Sequence, residues 1–350
     1  VTQILAVSTA FPAHKYPQGQ LTAKYADLAG LRRARRALLE RLHQNAGVIT
    51  RHTIAPLHEY GTLGGIAATN DRYITEATAL GERALTRALA RAGKQPSDID
   101  LLVVTSVTGV AVPSIDARLI PRLGLRPDVK RLPIFGLGCV AGAAALSRVH
   151  DYLRGWPGHT AALLAVELCS LTVPTSGATT ADLVASGLFG DGAAALIATG
   201  TQGASQPGPL VIATRSEVFP DSTDALGWRL SENGFRIVLT TDLSDVVESR
   251  LGAAITQFLA GQGLTADDIG AWICHPGGPR VIDAVQRALK LADEAVSQSR
   301  EALAEAGNMS SASVLHILEK VGDAGVTPGT FGLMIGLGPG VSTELVLLRW

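Results

Sequence analysis

The chain has 350 residues, 47% of them hydrophobic, 17% charged and only 5% aromatic, which describes more than one ordinary domain's worth of aliphatic core. A net charge of −1 argues against nucleic-acid binding, which needs a basic face. Three cysteines without CxxC or His-rich spacing exclude a disulfide framework and a metal site and suit a reducing cytoplasm, and no apolar run reaches membrane-spanning length.

In chain order, "VTQILAVSTAFP" reads as a first strand, short and without a basic leader. A helical region follows at about residues 20–46, where "LRRARRALLERL" is either a solvated face or an anion-binding patch. Residues 55–72 read as loop, and "ITEATALGERALTRALARAG" as a helix ending at Gly93. "DLLVVTSVTG" is then a buried strand of the parallel type. "VKRLPIF" is a short strand, and "CVAGAAALSRVHDYL" has helical spacing, with Val140, Ala144, Leu146, Val149 and Leu153 on apolar faces. Cys139 therefore stands at a strand-to-helix turn. It fits there as a small hydrophobe between glycines and alanines. The other reading is a reactive thiol whose pKa a helix N-terminus lowers from about 8.5.

Two segments repeat. "ALARAGKQPSDIDLLVVTSVTG" and "FLAGQGLTADDIGAWICHPGG" both run helix end, Gly, polar turn, Asp-Ile, apolar strand, Gly. Downstream, "GCVAGAAAL" is matched by "GNMSSASVL" at nearly the same offset. This order predicts an internal duplication, with two α/β halves meeting at about residues 200–235. Cys139 and Asn308 are then pseudo-equivalent helix starts, and His275 leaves the carboxyl end of a parallel strand, where α/β proteins place sites.

A thiol, an imidazole and an amide allow two chemistries. A thiolate takes an acyl group as a thioester, and His and Asn donors hold the enolate of a decarboxylating thioester. In a Cys-His-Asn hydrolase, Asn would orient the His instead. The duplication favours condensation, because it sets Asn308 opposite Cys139.

"GCVAGAAALSR", "GLFGDGAAALI", "HPGGPRVID", "GNMSSASVL" and "GLGPG" resemble the thiolase-fold condensing enzymes, and most closely the type III polyketide synthases of the chalcone and stilbene synthase family. The resemblance covers about residues 3–348. It implies an α/β, five-layered αβαβα fold, with residues 1–215 carrying the nucleophilic cysteine and residues 216–350 carrying His and Asn. It also implies a cytoplasmic homodimer, acyl-CoA and malonyl-CoA as substrates, and no metal or other cofactor. It carries Cys139 as nucleophile and His275 and Asn308 as activating and oxyanion residues.

Further positions follow from the resemblance one by one. Phe189 in "GLFGDG" and Phe235 in "ENGFRIVL" match tunnel phenylalanines. Val107, Thr108, Cys169, Thr172, Leu337 and Ser310 line the cavity, and Val112 and Pro113 lie at the dimer interface with a cis bond between them. The family's basic residues for CoA phosphates do not map, since Leu39, Leu42 and Ala46 occupy those places. Arg51, Arg41 and Arg280 are the substitutes, and the Arg-rich helix is a candidate surface for an acidic acyl carrier protein. Small and aliphatic walls predict an aliphatic acyl-CoA starter and a pyrone or resorcinol-type product. The alternatives are a malonyl-primed, naphthalene-forming synthase and a single-condensation enzyme of the ketoacyl-carrier-protein synthase III type. Val107, where naphthalene-forming members carry a cysteine, counts against the first of these.

Overall fold

The computed structural model describes residues 1–174, 177–200, 208–231, 234–240 and 243–350. The chain opens with β1 (Thr2–Ala10), β2 (His14–Pro17), α1 (Gln18–Leu28), α2 (Arg33–Gln44) and β3 (Thr50–Thr53). The expected helical region is thus two helices, because Gly30 turns left-handed at φ 60 between them. Next come α3 (Ile66–Ala92), β4 (Leu101–Thr105), α4 (Ile115–Leu123) and β5 (Lys130–Ile134). Helix α3 begins inside the segment expected to be loop. No side chain caps its start, so nothing local marked the boundary.

The nucleophile candidate follows in a short 3₁₀ turn ahead of α5 (Ala141–Gly155). Then come β6 (Thr160–Leu168), α6 (Thr180–Leu188), β7 (Asp191–Gly200), β8 (Leu210–Val218), β9 (Leu226–Ser231) and β10 (Gly234–Leu239). The chain finishes with α7 (Leu243–Ala260), β11 (Ile269–Cys274), α8 (Pro279–Leu289), α9 (Ser297–Ala306), α10 (Ser311–Ala324), β12 (Phe331–Gly338) and β13 (Ser342–Arg349).

The duplication is written in the sheet. Its order is β11-β12-β13-β8-β1-β7-β6-β4-β5. From the centre outward, β8, β13, β12 and β11 repeat the senses of β1, β7, β6 and β4: two antiparallel pairings, then a parallel one. The halves touch through Thr2↔Val211 and Gln3↔Leu210, and β5 is an extra edge strand on one side. Strand β8 is the counterpart of β1 in this scheme, so a division between residues 215 and 216 would cut it. The repeated polar turns are the same object as well. Gln95 with Asp98, and Thr265 with Asp268, form capping boxes immediately before β4 and β11.

Helices α5 and α10 fill the middle layer, buried along most of their length. One aliphatic core joins them to both halves of the sheet. A second core puts α3 on the outer face of the first half, and a third puts α7 and α8 on the outer face of the second. The result is the five-layered αβαβα thiolase fold. Each fully buried Leu or Ile in these layers contributes about 1.5–3 kcal/mol relative to exposure.

Candidate active site

Cys139 is the middle residue of the turn Gly138–Val140. The turn is sharp because Gly138 has φ 58 and a Cβ there would lie 2.7 Å from Pro339. The Cys139 thiol donates to Ser310 Oγ at 3.6 Å. Ser310 itself sits at φ 49, an unusual conformation for a residue with a side chain. It is held there by its N–H, which donates to Asn308 Oδ1 at 2.8 Å. Ser313 Oγ also donates to that oxygen, at 3.4 Å. With Oδ1 committed as acceptor, Asn308 has its amide N–H groups left to present.

Asn308 is fixed through its backbone too. Its N–H donates to Leu188 O at 2.8 Å, and its carbonyl accepts from Gly190 N at 3.0 Å. His275 continues the pairing of β11 with β12, its N–H donating to Ile335 O at 2.9 Å. Among the described residues neither ring nitrogen of His275 has a partner. Cys139, His275 and Asn308 all line one cavity, with Phe189 and Leu337 in its wall. A second lobe shares Cys139 and Phe189 and is lined by Val107, Thr108, Cys169, Thr172, Phe235 and Ser310. Every cavity residue expected from the sequence therefore falls on one of these two lobes.

The electrostatics differ from expectation. Burial pushes the Cys139 thiol up to about 11, against the expected lowering at a helix start. Burial likewise pushes His275 down to about 3. Burial disfavours the charge on each group, so the neutral thiol and the neutral imidazole are the favoured forms. Cys274 rises to about 12 and Cys169 well above the ordinary thiol value, both by burial. Iodoacetamide should therefore alkylate Cys139 before the other two. The rate should climb with pH up to about 11, because the thiolate fraction grows until the raised pKa is passed. A rate already flat at neutral pH would show a preformed ion pair instead.

The basic residues divide. Arg41 and Arg280 are exposed, Arg280 in the first turn of α8 beside cavity-lining Gly277 and Val281. Arg51 is buried, contrary to a phosphate-binding place at the surface. Its Nε donates to Gln18 Oε1 at 3.0 Å and its Nη1 to the Phe189 carbonyl at 2.5 Å, so it braces the cavity wall. Val112 is 92% exposed, and the bond to Pro113 is cis. Among the described residues no cluster of His, Cys, Asp and Glu could hold a metal ion, and no helix is long and apolar enough to cross a membrane.

Two contributors were not foreseen. Glu167, fully buried at the end of β6, accepts from Val107 N at 3.1 Å, Thr108 Oγ1 at 3.0 Å and Ser311 Oγ at 2.5 Å. It ties the first half to the start of α10, and an acid closing an otherwise apolar run was the available signal. Trp228 lines the cavity and stacks edge-on against Phe235, ring centroids 4.4 Å apart.

Comparison with known proteins gives the family. Residues 1–202 match the model of the chalcone and stilbene synthase N-terminal domain, and residues 210–350 match that of the C-terminal domain. The chain belongs to the chalcone and stilbene synthase family. It is a type III polyketide synthase, an acyl-condensing transferase. It is 52% identical over 352 residues to the 1,3,6,8-tetrahydroxynaphthalene synthase of Streptomyces peucetius subsp. caesius, covering 100% of this chain and 93% of that protein. It is 32% identical to the phloroglucinol synthase of Pseudomonas fluorescens, covering 97% of each. Its fold superposes on the crystal structure of the bacterial type III 1,3,6,8-tetrahydroxynaphthalene synthase of Streptomyces coelicolor with a TM-score of 0.94, at 32% identity over 99% of each chain.

Proposed function

We propose that this type III polyketide synthase is malonyl-primed and naphthalene-forming. The observation that carries the reading is the 52% identity, over the whole chain, to a tetrahydroxynaphthalene synthase. Hydroxyls on alternating carbons of a naphthalene are the trace of a chain built wholly from two-carbon units, with no separate starter needed. The aliphatic starter expected from the small walls gives way to this reading. Val107, Cys169, Thr172 and Leu337 are small or aliphatic, and beside the expected Phe189 and Phe235 the cavity gains flat aromatic surface from Trp228, which the sequence did not place. The absence of a cysteine at Val107 does not outweigh identity along the entire chain.

In this reading Cys139 attacks the thioester carbonyl of malonyl-CoA, and His275 takes up the Cys139 proton and passes it to the departing sulfur, which leaves as the CoA thiol. A second malonyl-CoA loses CO₂, and its thioester oxygen becomes an enolate held by N–H donors of His275 and Asn308. The enolate carbon attacks the Cys139-bound acyl carbonyl, forming the C–C bond and expelling Cys139. The lengthened chain returns to Cys139 for the next round. CoA thioesters are the only co-reactants required, with no metal or other cofactor. Arg280 and Arg41, both exposed, are the proposed contacts of CoA phosphates or an acidic acyl carrier protein. Val112 and Pro113, exposed on this chain, are the proposed contact of a homodimer, which a monomer in light scattering would refute.

The deciding incubation supplies malonyl-CoA alone, then malonyl-CoA with straight-chain acyl-CoAs or coumaroyl-CoA. A tetrahydroxylated naphthalene from malonyl-CoA alone is the expected product. No product without an added acyl-CoA would return the reading to a starter-dependent synthase.

A further inference from the structure

Strands β9 and β10 pair with each other and form a separate two-stranded sheet. Their Leu226, Trp228, Phe235 and Ile237 line the cavity around Cys139. More of its lining comes from α6, through Asp182, Ala185 and Ser186, and from Phe189 at its end. Arg236, between Phe235 and Ile237 on β10, does not line the cavity. Its Nη1 instead donates to Asp182 Oδ2 at 3.0 Å and to the Gly177 carbonyl at 3.3 Å. Asp182 is almost fully buried, 2% exposed at the side chain, against 22% for Arg236. The same Oδ2 accepts from Thr179 N at 2.8 Å and Thr179 Oγ1 at 2.9 Å, closing the cap of α6. One carboxylate oxygen thus fastens the first turn of α6 to the strand that carries the cavity residues Phe235 and Ile237.

We infer that Arg236 is a positioning residue that fixes β10, with Phe235 and Ile237, against α6, and thereby sets how far the polyketide is extended before release. Removing the guanidinium leaves a buried carboxylate beside the cavity without its positive partner, and frees β10 from α6. Chains that should fold back against Phe235 and Ile237 then lose their template. A lysine keeps the positive charge but brings a rotatable ammonium in place of the planar guanidinium whose Nη1 meets both Asp182 and Gly177. The inference rests on condensation taking place in this cavity, as in the proposed function.

The test compares the wild type with Arg236→Ala and Arg236→Lys as full-length enzymes, at matched folded protein. Malonyl-CoA is titrated, and kcat, KM, melting temperature and the ratio of fully extended to short lactone products are read. Arg236→Ala should raise KM severalfold with a smaller fall in kcat and shift products toward short lactones, with Arg236→Lys in between. Unchanged KM and product ratio in both variants, even with lowered melting temperature, would overturn the inference. Should Arg236→Ala not fold, Arg236→Lys decides by the same ratio. If the wild type yields a full-length product other than a naphthalene, the proposed product is wrong, while the ratio still tests Arg236.

Discussion

Asn308→Ala should slow malonyl-CoA decarboxylation by about 10²–10³, the usual loss when one donor is taken from an oxyanion site. The size follows from burial. Asn308 is 1% exposed and its neighbour His275 2%, so the enolate oxygen has no water to turn to. Asn308→Asp separates chemistry from architecture. It keeps an acceptor for the Ser310 N–H, which holds the unusual Ser310 backbone, and removes both donors. It should fail as badly as the alanine variant. Cys139→Ala should give the converse result, with no polyketide while malonyl-CoA is still decarboxylated to acetyl-CoA. Assay of CO₂ release beside product formation separates the two. Full decarboxylation by Asn308→Ala would remove Asn308 from the oxyanion role.

Gly142→Ala should cost about 3 kcal/mol or more of stability, at or beyond the upper end for overpacking a core. A Cβ at Gly142 would lie 2.1 Å from the Ser311 carbonyl oxygen and 2.9 Å from Val314 Cγ1. The first of these is backbone of α10, so no rotamer change relieves the contact. The two central helices have to move apart. Ser311 also donates to Glu167 and follows Ser310, so this movement reaches the cavity. A fall in melting temperature is the measurement, and an unchanged melting temperature would mean that α5 and α10 are not packed this closely.

The fold was legible because it is built from repeated local signals. The Asp-Ile turns before β4 and β11, the glycines after the preceding helices and the small-residue helix starts all recur in sequence. The same recurrence brought Cys139 and Asn308 into correspondence. The starts of α1, α2 and α3 were not legible, because uncapped starts leave no residue-type mark, whereas the end of α3 at Gly93 was. Arg51 and Glu167 show why charge was misread. A charged side chain looks the same in sequence whether it meets solvent or, as here, spends its hydrogen bonds inside. The upward push on Cys139 and the downward push on His275 were hidden for a related reason. Helix-start position is local, whereas desolvation depends on walls contributed from both halves.

Those two halves divide the chemistry unevenly. The sulfur hangs from the segment between β5 and α5, while the imidazole and the amide hang from β11 and the entry to α10. No single repeat holds all three groups. Their spacing is therefore a gauge of how the two repeats are seated, read across α5 and α10. A variant or cosolvent that loosens the seating of one repeat on the other should lower activity at temperatures where far-UV circular dichroism is still unchanged. Coincident loss of both would show that the repeats come apart only on unfolding.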